Sequence, residues 1–130
     1  MAEHPNVEMI RQGYEAFARG DMSALADLAA DEVVWHVPGD HSLAGDYEGK
    51  LAVIGFLAGL TQTLGVIEQE VHDIVGNDDH VVVMANQKLT RPDGDVLEWR
   101  AVQIFHVAAG KVTEVWAFNE NQAEIDKMVP

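Results

Sequence analysis

HVVVMANQKLTRPDGDVLEWRAVQIFHVAAGKVTEVWAF, residues 80–118, is the stretch whose reading decides the fold class. It holds three β-branched and aromatic runs: His80 to Thr90, Val96 to Val107 and Val112 to Phe118. Arg91-Pro92-Asp93-Gly94 and Ala108-Ala109-Gly110-Lys111 separate them as turns. Connections this short join antiparallel neighbours. Upstream, Val66 to Val75 ends in the turn cluster Gly76-Asn77-Asp78-Asp79 and adds a further strand, so the second half of the chain reads as an antiparallel meander. On its longest strand, alternation places Leu97, Trp99, Ala101, Gln103 and Phe105 on one face. Glu98, Arg100, Val102, Ile104 and His106 fall on the other.

The first half reads as helices. Asn6 is an N-cap candidate, and Val7, Ile10, Tyr14 and Phe17 recur at three- and four-residue spacings, ending at Arg19-Gly20. Asp21 caps a second helix with Leu25, Leu28 and Ala29 facing inward, and Asp31-Glu32 closes that unit. Val33 to Val37 predicts a short strand stopped by Pro38-Gly39, followed by a polar loop from Asp40 to Gly49. Val53, Ile54, Leu57 and Leu60 mark a third helix, and Ile125 and Met128 a short final one. Helices, one strand, a helix and a meander make an α+β domain spanning residues 1–130, with a curved sheet and helices over one face.

Composition excludes several functions. Eight Lys and Arg against 22 Asp and Glu give a formal charge of −14, which opposes nucleic acid and anionic membrane surfaces. The absence of cysteine removes disulfides, thiolate nucleophiles and Cys-type zinc sites. No apolar run approaches the ~20 residues of a membrane helix, and the N-terminal residues carry no secretory signal pattern. The expectation is a cytoplasmic protein.

Four segments together resemble the NTF2-like superfamily, within it the SnoaL-like and ketosteroid-isomerase-like branch. They are Tyr14-Glu15-Ala16-Phe17-Ala18-Arg19-Gly20-Asp21, Trp35-His36-Val37-Pro38-Gly39, Gly45-Asp46-Tyr47-Glu48-Gly49, and Gly110-Lys111-Val112 leading to Trp116. The resemblance spans residues 7 to about 122 and implies a cone whose sheet and roughly three helices enclose an apolar pocket. It also implies a homodimer formed through the outer sheet face. Members of the family include isomerases, dehydratases, polyketide cyclases and epoxide hydrolases, as well as non-catalytic binding modules, so the fold alone fixes no reaction.

The steroid-isomerase set is an Asp base with an oxyanion hole of Tyr and protonated Asp. Carried over by position, the base falls at Val37, the protonated Asp at Val102 or Gln103, and the Tyr at Gly13, with Tyr14 one step (about 100°) around the helix. The Asp pair is absent. The acid that SnoaL-like cyclases carry on the last strand corresponds to Glu114 or to the place of Asn119.

The remaining candidates follow from residue chemistry. His36 is the only titratable group between Val33 and Val37. Buried, it would be a neutral imidazole able to accept a proton; strict alternation instead puts it opposite Trp35 and Val37. Asp40 and His41 sit in a loop that in this fold lies near the pocket mouth, either as a working pair or as solvated side chains. Trp35, Trp99, Phe105 and Trp116 would line the pocket, with Gln103 and Asn119 offering amides to a ligand; the bland alternative is ordinary core. Arg100 would pair with Glu98 or a partner's acid. His72 and His80 have no evident partner, and His4 lies in a frayed tail. Neither a metal nor a cofactor is expected.

The leading expectation is a cofactor-independent enzyme that moves protons on an apolar, oxygenated cyclic metabolite. In it His36, or Asp40 with His41, would move the proton, while Tyr14 and Gln103 would stabilise an oxyanion. The alternative is a non-catalytic homodimeric binding module of the same fold.

Overall fold

The computed structural model describes residues 3–129; the expected domain limits, Met1 and Pro130, lie outside the described residues. Helix α1 (Pro5–Ala18) and helix α2 (Met22–Leu28) lead into strand β1 (Ala29–Val37) and strand β2 (Gly45–Glu48). Helix α3 (Lys50–Thr63) precedes the meander β3 (Val66–Gly76), β4 (His80–Thr90), β5 (Val96–Ala108) and β6 (Lys111–Asn119), and helix α4 (Gln122–Met128) ends the fold. The six strands form one curved, unclosed sheet in the order β2-β1-β6-β5-β4-β3. Only the β1–β6 pairing is parallel.

The caps show how local chemistry sets these boundaries. His4, not Asn6, caps α1: its Nδ1 accepts the Asn6 amide at 3.1 Å, ahead of Pro5 in the first turn. His4 is no frayed tail, because its Nε2 also meets Asp78 at 2.7 Å. Asn6 instead donates from Nδ2 to the carbonyls of Asn77 and Asp78, tying α1 to the β3–β4 turn. Asp21 caps α2 by accepting the Ala24 amide at 3.0 Å.

Two sequence expectations need correction. Strand β1 begins at Ala29 rather than Val33, because parallel pairing with β6 starts at Ala29–Val112; Asp31 and Glu32 lie exposed within it, where the register shifts. The loop from Asp40 to Gly49 contains β2, an edge strand paired from Val34–Glu48 to Val37–Gly45. With Gly45 and two acids in four residues it carries no β signal of its own, and β1 supplies its order.

Helices α1 and α3 cover the inner sheet face. Val7 and Ile10, and Val53 and Leu57, pack there on Val81, Val83, Phe105 and Val115. At the other end a smaller cluster joins Leu64 and Leu89 to Ile125 and Val129, so α4 closes the sheet at that side. The outer face leaves Val102, Ile104 and Trp116 partly covered and Phe118 56% exposed. Among the described residues no helix is long and apolar enough to cross a membrane.

Candidate functional site

Between α1, α3, α4 and the inner sheet face lies a cavity of about 220 Å³. Its wall is overwhelmingly apolar: Val33, Trp35 and Val37 from β1, Phe56, Leu57 and Leu60 from α3, Phe105 from β5, and Ile125 from α4. Phe105 sits edge-on to both Tyr14 and Trp35, with ring centroids 6.3 Å apart in each case, which fixes the floor. Pockets for drug-sized ligands run to ~300–1,000 Å³, and this one lies below that range.

Two polar groups break the apolar wall, and the first is Tyr14 with Gln103. The Tyr14 hydroxyl donates to Gln103 Oε1 across the cavity. Tyr14 keeps some accessible surface, but that surface opens on the apolar cavity, and desolvation pushes its phenol pKa up from 10.0. It is a proton donor there, not a base. Gln103 presents its Oε1 to the phenol, which leaves the Gln103 NH2 group for other partners. Among the described residues no buried side-chain N or O is unpaired, and none bonds to that NH2, so it reaches open space.

The second is a row of neutral amides. Trp99 Nε1 donates to Gln87 Oε1 at 2.8 Å and to Asn119 Oδ1 at 3.2 Å. Gln87 donates on to Gln69 Oε1, Asn119 to Gln122 Oε1, and Gln122 to Asp126 Oδ1. An indole can only donate and a carboxylate only accept, so the orientations of Asn119 and Gln122 are fixed between them. The Gln122 bond, with the Asp40 backbone amide, holds the Asp126 carboxyl below its usual 3.8. His41 lines the same end with its side chain 6% exposed, its Nδ1 accepting the Leu43 amide at 3.1 Å and its Nε2 3.9 Å from Asp126. That puts the proton of a neutral ring on Nε2 and occupies the lone pair a base would use.

Tyr14, Trp35, His41, Trp99, Gln103, Phe105 and Asn119 therefore meet in one cavity. Asp40 does not: it is exposed, and its backbone rather than its carboxylate touches the network. His36 and Trp116 lie on the opposite sheet face, as strand parity requires once Trp35 and Val37 point inward. His36 is not a neutral buried imidazole. Its Nε2 meets Glu114 Oε2 at 2.6 Å and its Nδ1 meets Asp46 Oδ1 at 2.7 Å. The Glu114 bond first, then the Asp46 bond, raise its pKa above 6.5 and favour the protonated ring, which stacks on Trp116 with centroids 5.4 Å apart. Glu114 is engaged there and faces away from the cavity. Arg100 pairs with Glu120, at 3.0 Å from Nε, rather than with Glu98. His80 does have a partner, His106, across the β4–β5 pair.

Gln69, Gln87, Gln122 and Asp126 carry a signal that the sequence reading passed over. Gln87 is in inward phase with Leu89, and Gln69–Gln87–Trp99 are direct neighbours across three strands. Polar amides at inward parity mark a lining rather than a dry core.

The SnoaL-like domain family matches residues 10–115. The chain belongs to that family. An uncharacterised protein of Mycobacterium tuberculosis is 29% identical over 124 residues, 95% of each chain. Among solved structures, Bal32a from a soil-derived mobile gene cassette is similar at 25% identity, with a TM-score of 0.90 over 97% of each chain. TerC, co-crystallised with polyporic acid, is similar in fold at 22% identity, with a TM-score of 0.85 over 96% of this chain and 98% of its own. Of the positions onto which the resemblance carries the steroid-isomerase carboxylates, Val37 and Gln103 line the cavity and Val102 lies on the outer face.

Proposed function

We propose that the cavity binds a small, uncharged ring compound and takes one of its carbonyl oxygens on the Gln103 NH2 group, without a cofactor. The observation that carries this reading is the Tyr14–Gln103 bond, whose direction turns an amide donor loose inside an apolar wall. The other lining acceptors support it, since Gln69, Gln87, Asn119 and His41 each already hold a donor from within the protein. The described lining has no Lys, Arg, Asp or Glu, which favours a neutral ligand. The partly exposed Val102, Ile104 and Phe118 support a homodimer through the outer face.

Proton transfer on the bound carbonyl compound is a second reading, favoured by the Tyr14 phenol that burial keeps protonated. Tyr14 and Gln103 would polarise the carbonyl, and His41 would have to release the Leu43 amide to accept a proton.

The test is a tryptophan-fluorescence titration with 1-tetralone and its hydrocarbon counterpart tetralin, reported by Trp35 and Trp99 in the wall. The ketone is expected to bind about three- to tenfold tighter, the worth of one net hydrogen bond. Gln103→Leu should erase that difference while leaving tetralin binding in place. Equal binding of the two by the wild type removes the assignment to Gln103, and no saturable response to either removes the binding function. Deuterium exchange at the ketone's α-carbon, slowed by Tyr14→Phe, would add catalysis; exchange at the solvent rate excludes it.

A further inference from the structure

On the outer face, at the end of the sheet away from Phe118, His80 opens β4 directly opposite His106 on β5. Their Nε2 atoms stand 2.9 Å apart. One Nε2–H donates to the other ring's lone pair, and a metal ion held by both nitrogens requires that proton to move to the donor ring's Nδ1, which leaves two neutral imidazole ligands. We propose that His80 and His106 form a bidentate site for a divalent copper ion.

The argument is one of bite. Metal–imidazole bonds are ~2.0–2.1 Å long, and two nitrogens 2.9 Å apart at that radius subtend about 90° at the metal. A right angle is the cis angle of square and octahedral coordination; a tetrahedral ion would need nitrogens about 3.3 Å apart. Square or tetragonal nitrogen and oxygen sites suit Cu2+ and Ni2+, and the Irving–Williams order places Cu2+ first. The pair is also held from behind: the His106 ring lies edge-on to Trp116 with centroids 4.8 Å apart. His80 itself is exposed, so water can fill the remaining positions. No set of three metal-ligating residues gathers among the described residues, and Glu114, across from His106 on β6, is spent on His36. The site is thus a two-nitrogen chelate with open coordination. A formal charge of −14 raises the concentration of cations near the surface.

Trp116 supplies the readout, since Cu2+ bound on the adjacent imidazole quenches indole emission. Titration of the full chain with Cu2+ in a non-coordinating buffer at neutral pH is expected to give saturable quenching at one ion per chain. His80→Ala and His106→Gln should each weaken it by about tenfold or more, because each removes half of the protein's ligands. His72→Gln, an exposed histidine on β3, should leave the affinity unchanged, and Trp116→Phe should remove most of the quenching while one ion still binds by calorimetry. Circular dichroism of each apo variant establishes that it is folded, so a lost response reports lost ligands. Wild-type affinity in folded His80→Ala or His106→Gln, or an equal loss in His72→Gln, overturns the assignment.

Discussion

Removing Gln103 should cost more stability than removing Gln103 and Tyr14 together. In the folded chain the Tyr14 hydroxyl donates to Gln103 Oε1 inside a mostly apolar cavity. Gln103→Leu leaves that hydroxyl with no protein acceptor, and an unsatisfied buried donor costs about 1–3 kcal/mol. Tyr14→Phe loses the net bond, about 0.5–1.5 kcal/mol, because Gln103 keeps an amide that already opens on the cavity. The double variant has apolar groups on both sides and no orphan, so it should sit near the milder single variant. The implied coupling then equals the Gln103→Leu cost, about 1–3 kcal/mol. Gln103→Leu and the double variant then differ by about 0.5–1.5 kcal/mol, which for 130 residues is a separation of roughly 2–6 °C in Tm. Urea unfolding by far-UV circular dichroism, without ligand, measures all four corners of the cycle. Single-variant losses that add to within about 0.5 kcal/mol would refute the bond as the organising contact of the site.

Two further outcomes concern the frame around the cavity. The His36 ring lies between Glu114 and Asp46, so its folded pKa lies above the ordinary 6.5. The folded state then holds more protons than the unfolded one. Its stabilising contribution is complete below pH about 6.5 and disappears as pH rises through the folded pKa. His36→Gln should therefore show a flatter fall of stability from pH 6.5 upward than the wild type in urea titrations; parallel curves would remove the double ion pair. Gly65 joins α3 to β3 at φ +130°, and a Cβ there would stand 2.2 Å from the Thr90 carbonyl oxygen. Gly65→Ala should destabilise the chain by about 2 kcal/mol or more, and an unchanged melting curve would contradict that approach of backbones.

The meander, its turns and the inward face of β5 were legible because each follows from neighbours in sequence. Alternation assigned Trp99, Gln103 and Phe105 to one face with no knowledge of what the face encloses, and the same parity already set His36 against Trp35. The resemblance to the SnoaL-like family rested on such local segments, so it too could be read from the chain. What a residue meets across the fold was not available there. His36 looked like the one base in an apolar strand until β2, with no strand signal of its own, and β6 brought Asp46 and Glu114 to its two nitrogens. Tyr14 and Gln103 are 89 positions apart, and only closure of α1 over β5 sets the direction of their bond. The Gln69–Gln87–Trp99–Asn119 row and the His80–His106 pair likewise depend on strand register, which backbone pairing fixes between strands rather than within them. Local periodicity decided which side chains point inward. Tertiary closure decided which of them carry a free donor, because a hydrogen bond belongs to two residues and a sequence position to one.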